Sequence, residues 1–289
     1  MGVQLMPSTS PSGSADKIYG VWTGSMDDLV SYRYVGCSSV LLDRSHAEGQ
    51  MRIRRDLRTR AGLRGAPLAI AALDTAGINI DRYHQLALTR IDIHLFDDGA
   101  GVEAVRVVGT VLREARTQVF TEARIEDHSD ASRVVAFATA DWAIIAPTPE
   151  GFVYTDPGRG VPDTADLPPL PEAYDAHPNV GGGFVIDRLS PRVGADTLHH
   201  GPILVSLEAA ALETASERAG SDALRVEHLS ARIIKAGRVG PFVVHAAVVT
   251  KRDDTVACRA EMRDDGADGQ VVAVALVRAR AIQRKGEVQ

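Results

Sequence analysis

Two acidic residues stand alone in apolar segments and are the first candidates for chemistry. Asp74 follows the segment 68–73, and Glu208 follows the segment 203–207. A carboxylate kept from water costs several kcal/mol unless a partner pairs with it or it keeps its proton. Burial also raises the pKa of a carboxyl group, which makes it a better base near neutral pH. Each acid is therefore a candidate to activate water or to attack a carbonyl carbon itself.

Both segments are predicted to be helices, over residues 66–80 and 202–219. The helices are apolar on every face for about two turns, whereas a helix lying on the surface of a sheet carries polar residues opposite its buried stripe. We therefore expect a sheet to enclose each helix.

A repeat assigns the two helices to two similar halves. Residues 119–127 and 256–264 share one alternating pattern at an offset of 137 residues, so that Asp127 corresponds to Asp264. A repeat of about half the chain indicates a duplicated domain, because solenoid repeats run roughly 20 to 50 residues. Two similar domains in one chain normally pack as a pseudo-symmetric dimer with sites at the seam.

The order of elements is the same in both halves. A short apolar strand precedes each helix, near 38–43 and 184–189, and alternating segments follow it. These predicted strands are 86–96, 102–113, 116–127 and 133–145 in the first half, and 225–234, 242–251, 255–263 and 270–282 in the second. The order indicates an α+β protein of two tandem hotdog domains, each a curved antiparallel sheet wrapped around a long central helix. We predict a disordered tail over 1–16, domains over 17–155 and 181–289, and an extended Pro-rich linker over 156–180.

The loop before the second helix carries a specific resemblance. Residues 197–203 are Thr-Leu-His-His-Gly-Pro-Ile, and Glu208 lies nine residues after His199. This segment resembles the Thr-Leu-His-Gly-Gly motif and helix carboxylate of the PaaI-type acyl-CoA thioesterases, and residues 64–67 take the corresponding place in the first half. The resemblance implies a tandem double-hotdog enzyme that hydrolyses an acyl-CoA thioester to the free acid and CoA.

The acid and the loop of one helix cannot act on the same carbon, because nine helical residues rise about 13 Å. The two halves must therefore share their parts, as the resemblance also implies. A helix N-terminus presents unpaired N–H groups and a partial positive charge, which suit a developing oxyanion. We predict two composite sites, one of Glu208 with Gly65 and Ala66, the other of Asp74 with His199, His200 and Gly201. If only one is active, we favour Glu208 as its acid.

Three further residues are predicted to bind substrate. Arg64 either contacts a phosphate of CoA or is solvated. The hydroxyls of Thr75 and Ser206 either orient water or bond to the preceding helical turn. His199 and His200 are expected to position the loop, since a carboxylate and N–H groups suffice for the chemistry. The structural alternatives are a hydrogen-bonded seam carboxylate for Glu208 and a helix end for Asp74.

Other functions leave weaker traces in the sequence. The nucleophile elbow, the P-loop, the dinucleotide-binding glycine motif and the zinc-peptidase motif are all missing. Within the hotdog class, a hydratase or dehydratase acting on acyl-CoA or acyl-carrier-protein thioesters is an alternative, although its His-Phe-Pro or Asn-Pro-x-His loop is not found. A non-catalytic protein that binds an acyl thioester is a third hypothesis.

Composition limits the partners. The net charge is −6 without a Lys/Arg-rich run, so nucleic acid is not an expected partner. No apolar run reaches the roughly 18 residues of a membrane span. Cys37 and Cys258 show no metal-ligand spacing, which favours a reducing, cytoplasmic location.

We expect no metal or redox cofactor, with CoA only as part of the substrate. An aliphatic acyl chain, hence a role in fatty acid metabolism, and a homo-oligomer are further expectations.

Overall fold

The computed structural model describes residues 29–148 and 160–282 of the chain. The tail predicted over 1–16 and the domain boundary predicted between 155 and 156 lie outside the described residues.

The described part of the first half contains two α-helices and eight strands. The long central helix follows a small two-stranded hairpin and precedes four long strands. In chain order the elements are α1 (Val30–Val35), β1 (Ser38–Leu41), β2 (His46–Arg52), β3 (Arg58–Thr59), β4 (Gly62–Leu63), α2 (Gly65–Asp81), β5 (His84–Leu95), β6 (Ala104–Glu114), β7 (Gln118–Asp127) and β8 (Asp130–Pro147).

The second half repeats the central helix and the four long strands. Its elements are α3 (Leu170–Ala173), β9 (His177–Pro178), β10 (Phe184–Ile186), α4 (His200–Ala219), β11 (Leu224–Ile233), β12 (Phe242–Arg252), β13 (Thr255–Asp264) and β14 (Gln270–Ala281). The repeat seen in the sequence falls on β7 and β13, whose first and last residues are each 137 positions apart.

One antiparallel sheet runs through both halves. Its twelve strands lie in the order β1-β2-β6-β7-β8-β5-β11-β14-β13-β12-β10-β9. Strands β5 and β11 pair at the seam, with Asp92 opposite Ser230 and His94 opposite His228. The sheet therefore passes from one half to the other without an edge.

Helices α2 and α4 pack on the same face of this sheet and contact each other. All residues of α2 from Gly65 to Ile80 are buried, which explains its apolar composition on every side. The sheet comes close to α2 at Gly109, where a Cβ atom would lie 2.9 Å from the backbone nitrogen and Cα of Ala76. Only glycine fits such a contact.

Among the described helices, none combines the length and apolarity that crossing a bilayer requires.

The Pro-rich segment differs from the prediction of an extended linker in its described part, 160–180. It forms α3, and Leu170, Ala173 and Tyr174 are buried against the core. The ring of Tyr174 meets that of Tyr34 edge to face at a centroid distance of 5.8 Å. The prolines of this segment have no backbone N–H to donate, but its apolar side chains still pack against the core.

Candidate active site

Helix α2 begins with two outward-facing backbone donors. The N–H of Arg64, which precedes the helix, donates to the carbonyl of Leu57 at 3.0 Å. Pro67, the third helical residue, has no N–H. The first four N–H groups of a helix find no acceptor within it. The donors that remain at this end are therefore those of Gly65 and Ala66.

Helix α4 begins in the same way. The N–H of His199 donates to the carbonyl of Val193 at 2.9 Å, and Pro202 occupies the third helical position. The remaining donors are those of His200 and Gly201. The two helices thus present equivalent pairs of N–H groups, at the positions that the sequence analysis assigned to oxyanion binding.

The acid of α4 reaches the donors of α2. The backbone N–H of Gly65 donates to Oε1 of Glu208 at 2.6 Å. Burial raises the pKa of the Glu208 carboxyl group, and the charge of Arg64 with the N–H groups of Gly65 and Ala66 opposes that rise. Glu208 is fully buried, and within the described ranges its Oε2 has no hydrogen-bond partner. The structure therefore brings this predicted pair together in a closed state.

The acid of α2 faces the start of α4, but it is unpaired. Oδ1 of Asp74 lies 4.0 Å from Nε2 of His200. Neither oxygen of Asp74 accepts a hydrogen bond from any described residue. Burial, with a contribution from the charge of Asp81, raises the pKa of Asp74 well above its ordinary value. A desolvated carboxyl group with free lone pairs is suited to take a proton from water.

A cavity of about 230 Å³ opens beside Asp74. Its wall comes from both halves and combines apolar side chains with polar ones, among them Tyr32, His84, Gln85, Thr148 and Thr197. The apolar side chains include Leu73, Leu88, Trp142, Leu198, Ile203 and Ile233. Glu208 is not among the described residues that line it. The cavity thus adjoins Asp74, the acid of the second predicted site.

Two neutral histidines form one side of this cavity. The rings of His199 and His200 lie 3.9 Å apart between centroids. Burial lowers the pKa of His199 to about 3 and lowers that of His200 well below its ordinary value. Nδ1 of His199 lies 2.8 Å from the Ser31 hydroxyl, and Nε2 lies 3.4 Å from the Tyr32 hydroxyl. These contacts connect the loop before α4 to α1.

Helix α1 covers the start of α4 and was missed by the sequence analysis. A Cβ atom on Gly201 would lie 2.1 Å from Oγ of Ser31, so the close approach requires glycine. Tyr32, from the same short helix, lines the cavity. With only six residues, α1 has no periodic pattern that would have revealed it.

Asp81 is a second carboxyl group in the cavity wall and was also missed. It ends α2, seven residues after Asp74, so both lie on one face of the helix. Burial raises the pKa of Asp81 to about 7. The sequence did contain a signal for Asp81, because it lies two turns after Asp74 in the same apolar helix.

The predicted substrate-binding roles of Thr75 and Ser206 do not fit the structure. The Thr75 hydroxyl lies 3.1 Å from that of Ser39, on the side of α2 that faces β1. The Ser206 hydroxyl donates to the carbonyl of Pro202 at 2.7 Å, one turn earlier. Both side chains are fully buried, and in the described parts of the chain neither lines the cavity. They bond within the core because their helices are enclosed.

Arginines line a separate surface groove of about 600 Å³ near the start of α2. Arg55, Arg58, Arg60 and Arg64 lie along it. Nε of Arg64 donates to the carbonyl of Arg58 at 3.3 Å. Arg60 forms an ion pair of 2.8 Å with Asp222 of the other half. Glu172, Glu213 and Asp222 line the groove as well. The groove adjoins the Glu208 pair, because Arg64 precedes Gly65 and Ala209 follows Glu208.

Comparison with known proteins identifies the fold. No family model matches the chain, and no curated protein matches it in sequence. Its structure is similar to the tesB protein of Mycobacterium avium subsp. paratuberculosis, with a TM-score of 0.60, 11% identity, and coverage of 88% of this chain and 98% of that one. It is also similar to the acyl-CoA thioesterase II TesB2 of Mycobacterium marinum, with a TM-score of 0.58, 14% identity, and coverage of 89% and 99%.

A third similar structure is a conserved protein of unknown function with a hotdog fold from Alicyclobacillus acidocaldarius. Its TM-score is 0.56 at 13% identity, with coverage of 88% of this chain and 98% of that one. The chain therefore has the hotdog fold, which confirms the resemblance at the level of the fold.

Proposed function

We propose that the chain is a tandem double-hotdog acyl-CoA thioesterase with Asp74 as its principal catalytic acid. The similarity to a structure named as an acyl-CoA thioesterase supports the reaction class. The continuous sheet with two enclosed helices supports the tandem arrangement. The observation that carries the proposal is the unpaired, buried carboxyl group of Asp74 at an interhelical cavity, opposite the N-terminus of the helix from the other half.

In the proposed reaction, the ionised carboxylate of Asp74 takes a proton from a water molecule, whose oxygen attacks the thioester carbonyl carbon. The carbonyl electron pair moves onto oxygen, and the N–H groups of His200 and Gly201 stabilise the resulting oxyanion. The carbon–sulfur bond then breaks, and the CoA thiolate takes the proton from Asp74. The products are the carboxylic acid and CoA. His199 and His200 stay neutral and position the loop.

The Glu208 site is proposed to be a second, closed site. Its carboxylate already occupies the Gly65 donor that an oxyanion would need. Substrate would have to separate Glu208 from Gly65 before Gly65 and Ala66 could hold an oxyanion. In the closed state Glu208 instead stabilises the start of α2, because a carboxylate is favourable at a helix N-terminus.

Acyl-CoA is the proposed substrate for both sites, and an aliphatic chain can contact the apolar side chains of the cavity, such as Leu73 and Trp142. At the Glu208 site, Arg64 and its neighbours in the groove are suited to bind the phosphates of CoA, since guanidinium groups bind phosphate bidentately. We also propose that the protein is cytoplasmic, takes part in fatty acid metabolism and forms a homo-oligomer of double-hotdog subunits.

The test is a panel of acyl-CoA substrates of different chain length with detection of the released thiol. Wild type should release thiol, and Asp74→Asn should lower kcat by about 10²-fold or more, the usual contribution of a general base. Glu208→Gln is the matched control and should keep most of the activity. If Glu208→Gln is the inactive variant, the assignment to Asp74 is wrong.

The closed Glu208 pair also fits a non-catalytic acyl-thioester-binding protein, because it removes one set of oxyanion donors. Wild type that binds acyl-CoA without releasing thiol would establish that alternative. Formation of 3-hydroxyacyl-CoA from an enoyl-CoA without thiol release would instead establish a hydratase.

A further inference from the structure

A cluster of metal-ligating side chains lies on the seam, outside both composite sites. It consists of Asp92 and His94 from β5 and His228 from β11, whose possible ligand atoms all lie within 4.8 Å of one another. Strand register creates the cluster, because His94 lies directly opposite His228 and Asp92 is two residues away on the same face. Asp92 and His228 are more than 130 residues apart in the sequence, so no motif indicated the cluster.

The cluster faces away from the central helices. Ile91 and Ile93, which alternate with Asp92 and His94, are fully buried in the core. Asp92, His94 and His228 therefore lie on the outer face of the sheet. The side chain of His94 is 48% exposed, and those of Asp92 and His228 are 14% and 16% exposed. A solvated ion can reach such a site without entering the cavity.

The three side chains already converge on one oxygen. Nε2 of His228 lies 3.0 Å from Oδ1 of Asp92, and Nε2 of His94 lies 3.1 Å from the same atom. The two imidazole rings are stacked, 4.3 Å apart between centroids with an interplanar angle of 18°. Both nitrogens thus lie close to the same carboxylate oxygen.

Arg90 contacts the other oxygen, Oδ2, at 3.3 Å. Among the described contacts of the carboxylate, those to Oδ1 come from the two imidazole rings. The positive charge of Arg90 weakens attraction for a cation without removing the ligand atom.

We infer that Asp92, His94 and His228 bind a divalent transition-metal ion of the zinc, cobalt or nickel class. Two imidazoles and one carboxylate suit these ions, which they hold at about 2.0 to 2.2 Å, and not the oxygen-seeking magnesium or calcium. The ion replaces the protons that otherwise join the rings to Asp92. Because the ligands come from both halves, the bound ion cross-links β5 to β11 and leaves coordination positions open to solvent.

The test uses the full chain after treatment with a chelator. Wild type is titrated with Co²⁺, followed by its visible absorption, and with Zn²⁺ in a calorimeter. We expect one equivalent to bind and the melting temperature to rise. His94→Gln and His228→Gln should each weaken binding by about tenfold or more, since even groups outside the ligand shell contribute that much. His94 is exposed, so its variant tests the site without disturbing the core.

His46→Gln is the matched control. His46 is an exposed histidine paired with a carboxylate, Asp43, at 2.9 Å, and it belongs to no described group of three ligands. Its variant should bind Co²⁺ as wild type does. The inference is overturned if wild type binds no stoichiometric Co²⁺ or Zn²⁺, or if a variant lacking both His94 and His228 binds them unchanged. Neither result depends on the proposed thioesterase activity.

Discussion

The carboxylate of Glu208, in the helix of the second half, is bonded to the first backbone N–H of the helix in the first half, at Gly65. One hydrogen bond therefore both satisfies a helix N-terminus and links the two halves through their interior. Asp74 stands in the reciprocal position without such a bond. Glu208 thus makes a structural contact, whereas Asp74 makes no hydrogen bond with the described residues.

Removing the Glu208 carboxylate should destabilise the fold. Glu208→Ala leaves the Gly65 N–H unpaired and creates a cavity, so we expect a loss of about 2 to 4 kcal/mol in the free energy of unfolding. Glu208→Gln keeps an acceptor oxygen and should lose less than half as much. Urea unfolding of both variants measures the difference. Equal losses would mean that the hydrogen bond contributes nothing.

Activity should depend on the ionisation of Asp74. Since burial and Asp81 raise the pKa of Asp74 well above its ordinary value, the ionised base is scarce at low pH and the rate should increase as pH rises. Asp81→Asn removes the neighbouring charge and should move this acid limb to lower pH. Profiles of kcat/KM against pH for both proteins test the assignment. It fails if the limb keeps the same midpoint in both.

The stability of the fold should fall as pH rises through the titration of Asp81. Its pKa of about 7 exceeds the ordinary 3.8, so the folded state holds the proton more tightly than the unfolded chain. The stabilisation is full below about pH 4 and is lost as pH rises through 7. At about 1.4 kcal/mol per pKa unit, wild type should lose a few kcal/mol relative to Asp81→Asn. Urea unfolding between pH 5 and 8 compares them, and parallel curves would contradict the prediction.

Gly201→Ala should disturb the contact between α1 and α4. The new Cβ atom would lie 2.1 Å from Oγ of Ser31, and such overpacking costs about 1 to 3 kcal/mol. Gly181→Ala is the control, because its Cβ would meet nothing closer than 3.8 Å. Thermal melts of both variants measure the effect. A loss in Gly201→Ala that Ser31→Gly does not reduce would show that the clash is not its cause.

The central elements could be predicted closely because their patterns are local. The helix predicted over 66–80 is Gly65–Asp81, and the strand predicted over 242–251 is Phe242–Arg252. In β13 the buried positions alternate with more exposed ones, which is the period that the sequence displayed. Apolar composition on every side also indicated correctly that the helical segments 68–73 and 203–207 are buried.

What could not be predicted depends on contacts between distant segments. Helix α1 is too short to show a period, yet its Ser31 and Tyr32 hold the His199 loop. The position of the cavity was missed as well, because the space beside Asp74 is set by packing between the halves. For the same reason, nothing in the order of residues revealed that β5 and β11 would be neighbours.

The continuous twelve-stranded sheet joins both halves in one polypeptide. This fusion determines how a mutation affects the two sites. In an assembly of identical copies, any substitution appears in every copy and alters all equivalent places together. Here a mutation of Glu208 leaves Asp74 unchanged. Covalent fusion thus allows the two acids to differ: Glu208 bonds to Gly65, while Asp74 accepts no hydrogen bond from the described residues.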